Sequence, residues 1–228
     1  MREYVDKFLA QQKLMEDDVF KAQMHEFKVK AMWADADDLT KRKKWAECGS
    51  VYEQMATGFA ESKDTDLFFW AAGSCYESAG MLGPAVAMRR TLIQKFPKSK
   101  HAAMAMYYVA GNYHNLAFFA DAAKWYELFF EKHASQKEAS ESLMWGIVLR
   151  GGLGDESRMM KNAASFIEKW RGSKKKDTAK SFWLVVKLYE DQGVEDKFMV
   201  NLMRYVRDYG SSGDIDRYIE ANSRLGEM

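Results

Sequence analysis

Proline and cysteine are scarce in this chain, with two of each among 228 residues. So few prolines leave long stretches free to run as uninterrupted helix. Two cysteines, Cys48 and Cys75, are too few for a disulfide framework or a four-thiolate zinc site. An excess of either charge is missing as well: 34 Lys and Arg stand against 33 Asp and Glu, a net charge of +1. That balance argues against a globally basic nucleic-acid binder and against an acidic tail protein. The four histidines, His25, His101, His114 and His133, show no H-x3-H or H-E-x2-H spacing, so no metal site is expected. No G-x-S-x-G, phosphate-binding loop or dinucleotide fingerprint occurs, and the adjacent acids Asp17-Asp18 and Asp37-Asp38 diverge on a helix. No catalytic residue and no cofactor are expected.

Long apolar runs are also lacking. The stretch from His101 to Ala120 holds no Asp, Glu, Lys or Arg. Asn112, His114 and Asn115 lie in its middle, which suits a packed pair of helices better than a bilayer span. Four of the first seven residues are charged and there is no apolar signal core; the chain reads as starting inside a helix, like a piece of something longer. What is abundant is core material: 47% of residues are hydrophobic and 14% aromatic, enough for a globular protein.

The informative feature is self-similarity. Rings at Phe69, Tyr107, Trp145 and Phe182 open similar segments at spacings of 38, 38 and 37 residues, and are expected to mark equivalent places in successive units. The segments read Phe69-Trp-Ala-Ala72-Gly73-Ser-Cys-Tyr76, Tyr107-Tyr-Val-Ala110-Gly111-Asn-Tyr-His114 and Phe182-Trp-Leu-Val185-Val186-Lys-Leu-Tyr189, so rings recur at helical spacing. Glycine inside a helix costs about 1 kcal/mol against alanine, so Gly73 and Gly111 are expected where helices approach closely. Each segment is followed by a break and a second amphipathic helix, carrying Ala85, Met88, Leu92 and Phe96, then Ala122, Ala123, Tyr126, Phe129 and Phe130, then Ala163, Phe166, Ile167 and Trp170, then Phe198, Leu202, Tyr205 and Val206. Gly80-Met-Leu-Gly83-Pro84 is one such stop and restart. Gly151-Gly152-Leu153-Gly154-Asp155 reads as an inter-helix turn that disturbs the end of its helix.

These units resemble the tetratricopeptide repeat (TPR), W-x2-L-G-x2-Y, then A-x3-F, then P. Phe69, Gly73, Tyr76, Gly80, Ala85 and Pro97 carry the match in the best unit; later units keep fewer of these residues, and a weaker unit begins at Trp45-Ala-Glu-Cys48-Gly49-Ser-Val-Tyr52. The resemblance implies an all-α, right-handed α-solenoid of about five helix hairpins plus terminal helices. Residues 1–65 are expected to hold N-terminal helices with a degenerate first repeat, 66–210 the repeats, and 211–228 a capping helix or tail. Val5, Phe8, Leu9, Met15, Val19, Phe20, Met24 and Phe27 form an interrupted stripe expected to pack a long helix on the first repeat. The junction Gln94-Lys-Phe-Pro97-Lys-Ser99 is similar to one found in bacterial envelope TPR proteins, which implies a periplasmic or envelope setting over a cytoplasmic one.

In such a solenoid the first helix of each pair lines a concave groove. The expected groove residues are Trp70, Ser74, Glu77, Tyr108, Asn112, Asn115, Arg150, Trp183 and Lys187, with Glu190 beside them. The resemblance implies a protein or peptide ligand, with Asn112 bonding its backbone, Trp70, Tyr108 and Trp183 stacking on it, and Arg150 and Lys187 pairing with a carboxylate. The alternative for those rings is packing between repeats. An RNA-binding helical repeat is the rival function, opposed by the acids Glu77 and Glu190 in the lining. Cys48 and Cys75 read as buried inert thiols, with a bridge open to them in an oxidising compartment. The fifteen methionines read as gap-fillers between helices. The expected function is a non-catalytic scaffold or assembly factor.

Overall fold

The computed structural model describes Lys7, residues 18–210 and residues 213–227. Eleven helices and no strand occur among them. They are α1 (Asp18–Lys41), α2 (Trp45–Gly58), α3 (Thr65–Ser78), α4 (Leu82–Lys95), α5 (Ala102–Asn115), α6 (Phe119–His133), α7 (Ala139–Gly152), α8 (Glu156–Trp170), α9 (Lys175–Asp191), α10 (Glu195–Tyr209) and α11 (Ile215–Gly226). No described helix is long and apolar enough to cross a membrane. The uncharged stretch from His101 is divided by the turn at 116–118 into α5 and the start of α6. The chain separates into two compact units, Met1–Asn112 and Tyr113–Met228.

Two kinds of connection alternate. Three-residue turns join α1 to α2, α3 to α4, α5 to α6, α7 to α8 and α9 to α10; the remaining links are longer. Every short turn is built alike. Its central residue has positive φ (Lys43, Gly80, Ala117, Gly154 and Gly193), recurring at 37 residues and stretching to 39 at the last interval. The N–H of that residue donates three residues back and the next N–H five back: Gly80 to Glu77 and Met81 to Tyr76, Gly154 to Gly151 and Asp155 to Arg150. This is the Schellman closure, which satisfies the last carbonyls of one helix while reversing the chain. The next helix then starts at once, with Ala85 bonded to Met81 and Ala122 to Phe118.

The turns, and not the rings, set the repeat. Eleven residues before each turn centre stand Met32, Phe69, Met106, Leu143 and Phe182, all buried; seven before stand Ala36, Gly73, Ala110, Ile147 and Val186, also buried. Phe69 and Phe182 are therefore equivalent, whereas Tyr107 and Trp145 sit one and two positions late and are half-buried. Rings cluster as Phe68-Phe69-Trp70 and Tyr107-Tyr108, so matching by ring type slides along the helix while the buried slot holds a methionine or leucine. The segment Trp45–Tyr52 is likewise corrected. It follows a short turn, so it opens the second helix of the first hairpin, α1 being the first. Gly151-Gly152 does not disturb α7, which runs to Gly152.

Second-helix stripes pack as the sequence implies, with Ala85, Leu92, Ala122, Phe129, Phe166, Leu202 and Tyr205 buried. In the first unit Met32, Ala36, Met55, Phe68, Phe69 and Leu92 share one core. In the second, Leu143, Ile147, Met159 and Phe166 form one cluster and Phe182, Trp183, Leu202, Tyr205 and Ala221 another. The stripe expected in the N-terminal helix is not its buried face. Val19 and Phe27 are exposed, and α1 packs through Ala31, Met32 and Ala36; Val5, Phe8, Leu9 and Met15 lie outside the described residues.

Cys48 and Cys75 are bridged, with Cα atoms 5.8 Å apart, so they are not free thiols. Cys48 occupies the small-residue slot that Ala85 and Ala122 fill in later hairpins, and the bond joins α2 to α3. The same helix pair meets at Gly49, where an added Cβ would lie 2.6 Å from the Tyr76 ring. Tyr76 donates its hydroxyl hydrogen to Glu53, and burial, followed by that carboxylate, pushes its pKa up to about 12.

Two predictions follow from the turns and the bridge. Replacing Ala117 with Gly should raise stability by about 1 kcal/mol in a denaturant titration, and Gly154→Ala should lower it by about as much. Reducing the Cys48–Cys75 bond, whose partners are 27 residues apart, should lower stability by about 3 kcal/mol, with no further loss in a Cys48→Ala, Cys75→Ala chain.

Candidate functional site

In the first unit four of the expected groove residues gather around one that the sequence reading missed. Arg89, on α4, is only 1% exposed although it carries a full charge. It lies four residues after Ala85 and three before Leu92, inside the apolar stripe, and that misplaced charge is the signal a pattern search can use. Gly73 makes the room: an added Cβ there would stand 3.0 Å from Arg89 Cγ. Arg89 Nη2 donates to Glu77 Oε2 at 2.8 Å. With the Asn112 amide oriented by its partners, its oxygen accepts from Arg89 Nη1 at 2.8 Å and its nitrogen donates to Glu77 Oε1 at 2.6 Å. The guanidinium also lies 4.7 Å from the Tyr108 ring centre and 5.8 Å from that of Trp70.

Asn112 is itself 1% exposed and spends its amide on this network, so it faces no groove. Tyr108, 37% exposed, and Trp70 present the outer surface of the cluster. Trp70 stacks on His101 at 5.2 Å and meets Tyr108 edge-on at 5.7 Å. Burial first, then Lys100, holds the His101 pKa below the usual histidine value, which favours the neutral ring against the indole. Ser74 is half-buried and donates its hydroxyl to the Trp70 carbonyl at 3.1 Å, a bond within the helix.

In the second unit the expected residues are dispersed. Arg150 is buried in a fork with Glu127, Nε to Oε1 and Nη2 to Oε2 both at 2.8 Å, with Asp155 3.3 Å from Nη1. Those bonds raise its pKa despite burial. Asn162 completes the cluster by donating to Glu127 at 2.8 Å, and Gly146 leaves space for it. Trp183 is 7% exposed and packs on Tyr205 at 4.9 Å between ring centres: it is core, not groove. Lys187 pairs with Glu190, which also meets Arg224. Asn115 ends α5 and is exposed.

The surface that first helices do offer in this unit lies elsewhere, in a cleft of about 530 Å³ between α7 and α9. Its apolar lining is Met144, Trp145, Val148 and Phe166; Lys137, Lys174 and Lys180 stand on its rim among Glu138, Glu141 and Asp177. Trp145 is held by an edge-on contact with His114 at 4.7 Å, and Lys174 Nζ donates to the buried Ser140 hydroxyl at 2.7 Å. Trp145 was visible in the sequence as a repeat anchor; its displacement by two positions from the buried slot is what turns it towards this cleft. Among the described residues no three His, Cys, Asp or Glu side chains stand close enough to hold a metal ion.

No protein-family model matches this chain, and no curated protein is similar to it at a significant level. Solved structures are. A tetratricopeptide-repeat protein from Parabacteroides merdae matches over 86% of this chain and 75% of its own, with TM-score 0.54 and 12% identity. YrrB, described as a TPR protein with an unusual peptide-binding site, matches over 98% of this chain and all of its own, with TM-score 0.51 and 13% identity. MamA matches over 85% of this chain and 97% of its own, with TM-score 0.51 and 10% identity. At such low identity the likeness speaks for architecture. The fold of this chain is that of the tetratricopeptide-repeat α-solenoids.

Proposed function

We propose that the chain is a non-catalytic scaffold that captures a protein or peptide along its first helices. The α7–α9 cleft carries this reading: an apolar floor of Met144, Trp145 and Val148 within a polar rim, on helices that pack on each other without covering it. Aromatic side chains held by packing, such as Trp145 and Tyr108, present large contact area at little entropic cost. Acids alternate with lysines around the rim, which favours a polypeptide over a polyanion such as RNA. The peptide-binding site ascribed to YrrB, on the same fold, is in keeping with it. The buried Cys48–Cys75 bridge supports an oxidising compartment, consistent with a role in a bacterial envelope assembly.

Two substitutions separate binding from folding. Val148→Arg, at an exposed floor position, should lower the yield of protein co-purified from the native cell about tenfold while moving stability by no more than about 0.5 kcal/mol. An unchanged yield would place capture off the first-helix face. Asn112→Ala should behave oppositely: it strips Arg89 of a partner in a dry site and should cost about 3 kcal/mol in a denaturant titration.

A further inference from the structure

The hairpin turns of the second unit expose more apolar surface than their closure requires: Phe118 meets the Tyr113 ring edge-on at 6.3 Å, the kind of contact that accompanies a Schellman turn, yet most of its side chain stays in solvent. Turn residues are ordinarily polar or glycine. Here Leu116 and Leu153 immediately precede turn centres, Phe118 and Val194 immediately follow them, and Phe119 opens α6; all five are exposed, Phe118 at 56%. In the first unit the turn Arg42-Lys43-Lys44 is wholly basic and Ala79-Gly80-Met81 exposes Met81 alone, at 41%, so the run of apolar turns is a property of the second unit and not a demand of the repeat.

Antiparallel hairpins put all three turns of this unit on one edge. Neighbouring helices pack 8–10 Å apart, so the apolar residues recur along that edge at an interval on the order of 10 Å. The charge around them has one dominant sign. Asp121, Glu156, Asp191, Glu195 and Asp196 are exposed there, with Arg158 and Lys197 between them. Arg158 is near Asp155 (3.7 Å) and Lys197 lies over the Tyr189 ring. Acids in a first helical turn suit the helix dipole, so the acidity alone indicates nothing. Joined to a row of exposed Leu, Phe and Val, it defines a surface: apolar points at regular spacing within a negative field.

We propose that the turn edge of the second unit is a docking strip for a basic amphipathic helix of a partner protein. Residues one heptad apart on such a helix are about 10.5 Å apart, of the same order as the packing distance between neighbouring helices. Its lysines or arginines face Asp191, Glu195 and Asp196, and its apolar stripe covers Phe118, Leu153 and Val194. This strip is separate from the first-helix cleft and stands whether or not that cleft binds anything.

The test is calorimetric titration of the full chain with a synthetic leucine–lysine amphipathic helix and with the same helix bearing glutamate for lysine. The lysine peptide should bind saturably, more weakly as salt is raised, and the glutamate peptide should not. Phe118→Ser with Leu153→Ser should weaken binding about tenfold. Glu195→Lys with Asp196→Lys should weaken it about as much and flatten the salt dependence, while Val148→Arg in the first-helix cleft should leave it unchanged. These positions are exposed, so the variants should keep the parent's helical circular dichroism. Absence of saturable binding, equal binding of both peptides, or equal binding by all variants overturns the proposal. So does a concentration-dependent dimer in sedimentation that Phe118→Ser with Leu153→Ser abolishes, because the occupant is then a second copy of this chain.

Discussion

The three-residue Schellman turn is the constraint on which the rest of each hairpin depends. Its central residue must adopt positive φ, its two N–H groups must close back onto the helix just ended, and the next helix must begin at once. With that geometry fixed, the facing positions are fixed too: eleven and seven residues before the turn and five after it fall on the same inward face in every hairpin. The side chains filling those slots vary freely, from Met32 through Phe69 to Leu143, because packing asks for apolar volume and not for a particular ring. Lys43 and Ala117 show how strongly the geometry is imposed, since each adopts a conformation that only glycine enters without strain.

Departures from repetition are where individual properties enter. A guanidinium placed in an apolar stripe needs a glycine opposite it and two polar partners around it, and Arg89 has all three in Gly73, Glu77 and Asn112. Arg150 solves the same problem with other residues, taking Glu127 and Asn162 from the two flanking second helices, with Gly146 as the space. Each network fixes one hairpin against the next through groups that apolar packing cannot replace piecemeal, because removing one member strands a buried charge. The first network also holds Tyr108 and Trp70 in place by cation–π contact, linking the interior to the surface the first helices present.

The fold was legible because its signals are redundant. Scarce proline, amphipathic segments and the stops at Gly80 and Gly154 each indicate helix hairpins, and an error in one leaves the others standing. Equivalence between repeats was less legible. Rings at Phe69 and Tyr107 invite alignment, yet the equivalent of Phe69 is Met106, and only the backbone conformation of the turns shows it. The site was least legible. Asn112 and Arg150 have the chemistry of ligand-binding residues, and what removes them from that role is Arg89 in one case and Glu127 in the other, partners on other helices that no local spacing announces. Trp183 was assigned to the groove by counting from an anchor, and the depth of the Tyr205 contact decides otherwise.

The same reasoning explains why interaction surfaces on such a chain are found by exposure within the register and not by residue type. Apolar side chains at inward slots are consumed by packing and say nothing about partners, whether Trp183 or Phe129. Those at slots the repeat leaves outside are unexplained by stability. Trp145, moved two positions from the buried slot, lines a cleft; Phe118 and Leu153, flanking turn centres, stand in water. An exposed large apolar residue costs solubility, and an edge contact such as that of Phe118 with Tyr113 leaves most of its surface in water. Such residues gathered on one face, with a consistent setting of charge, are therefore the features on which the proposed docking surfaces rest.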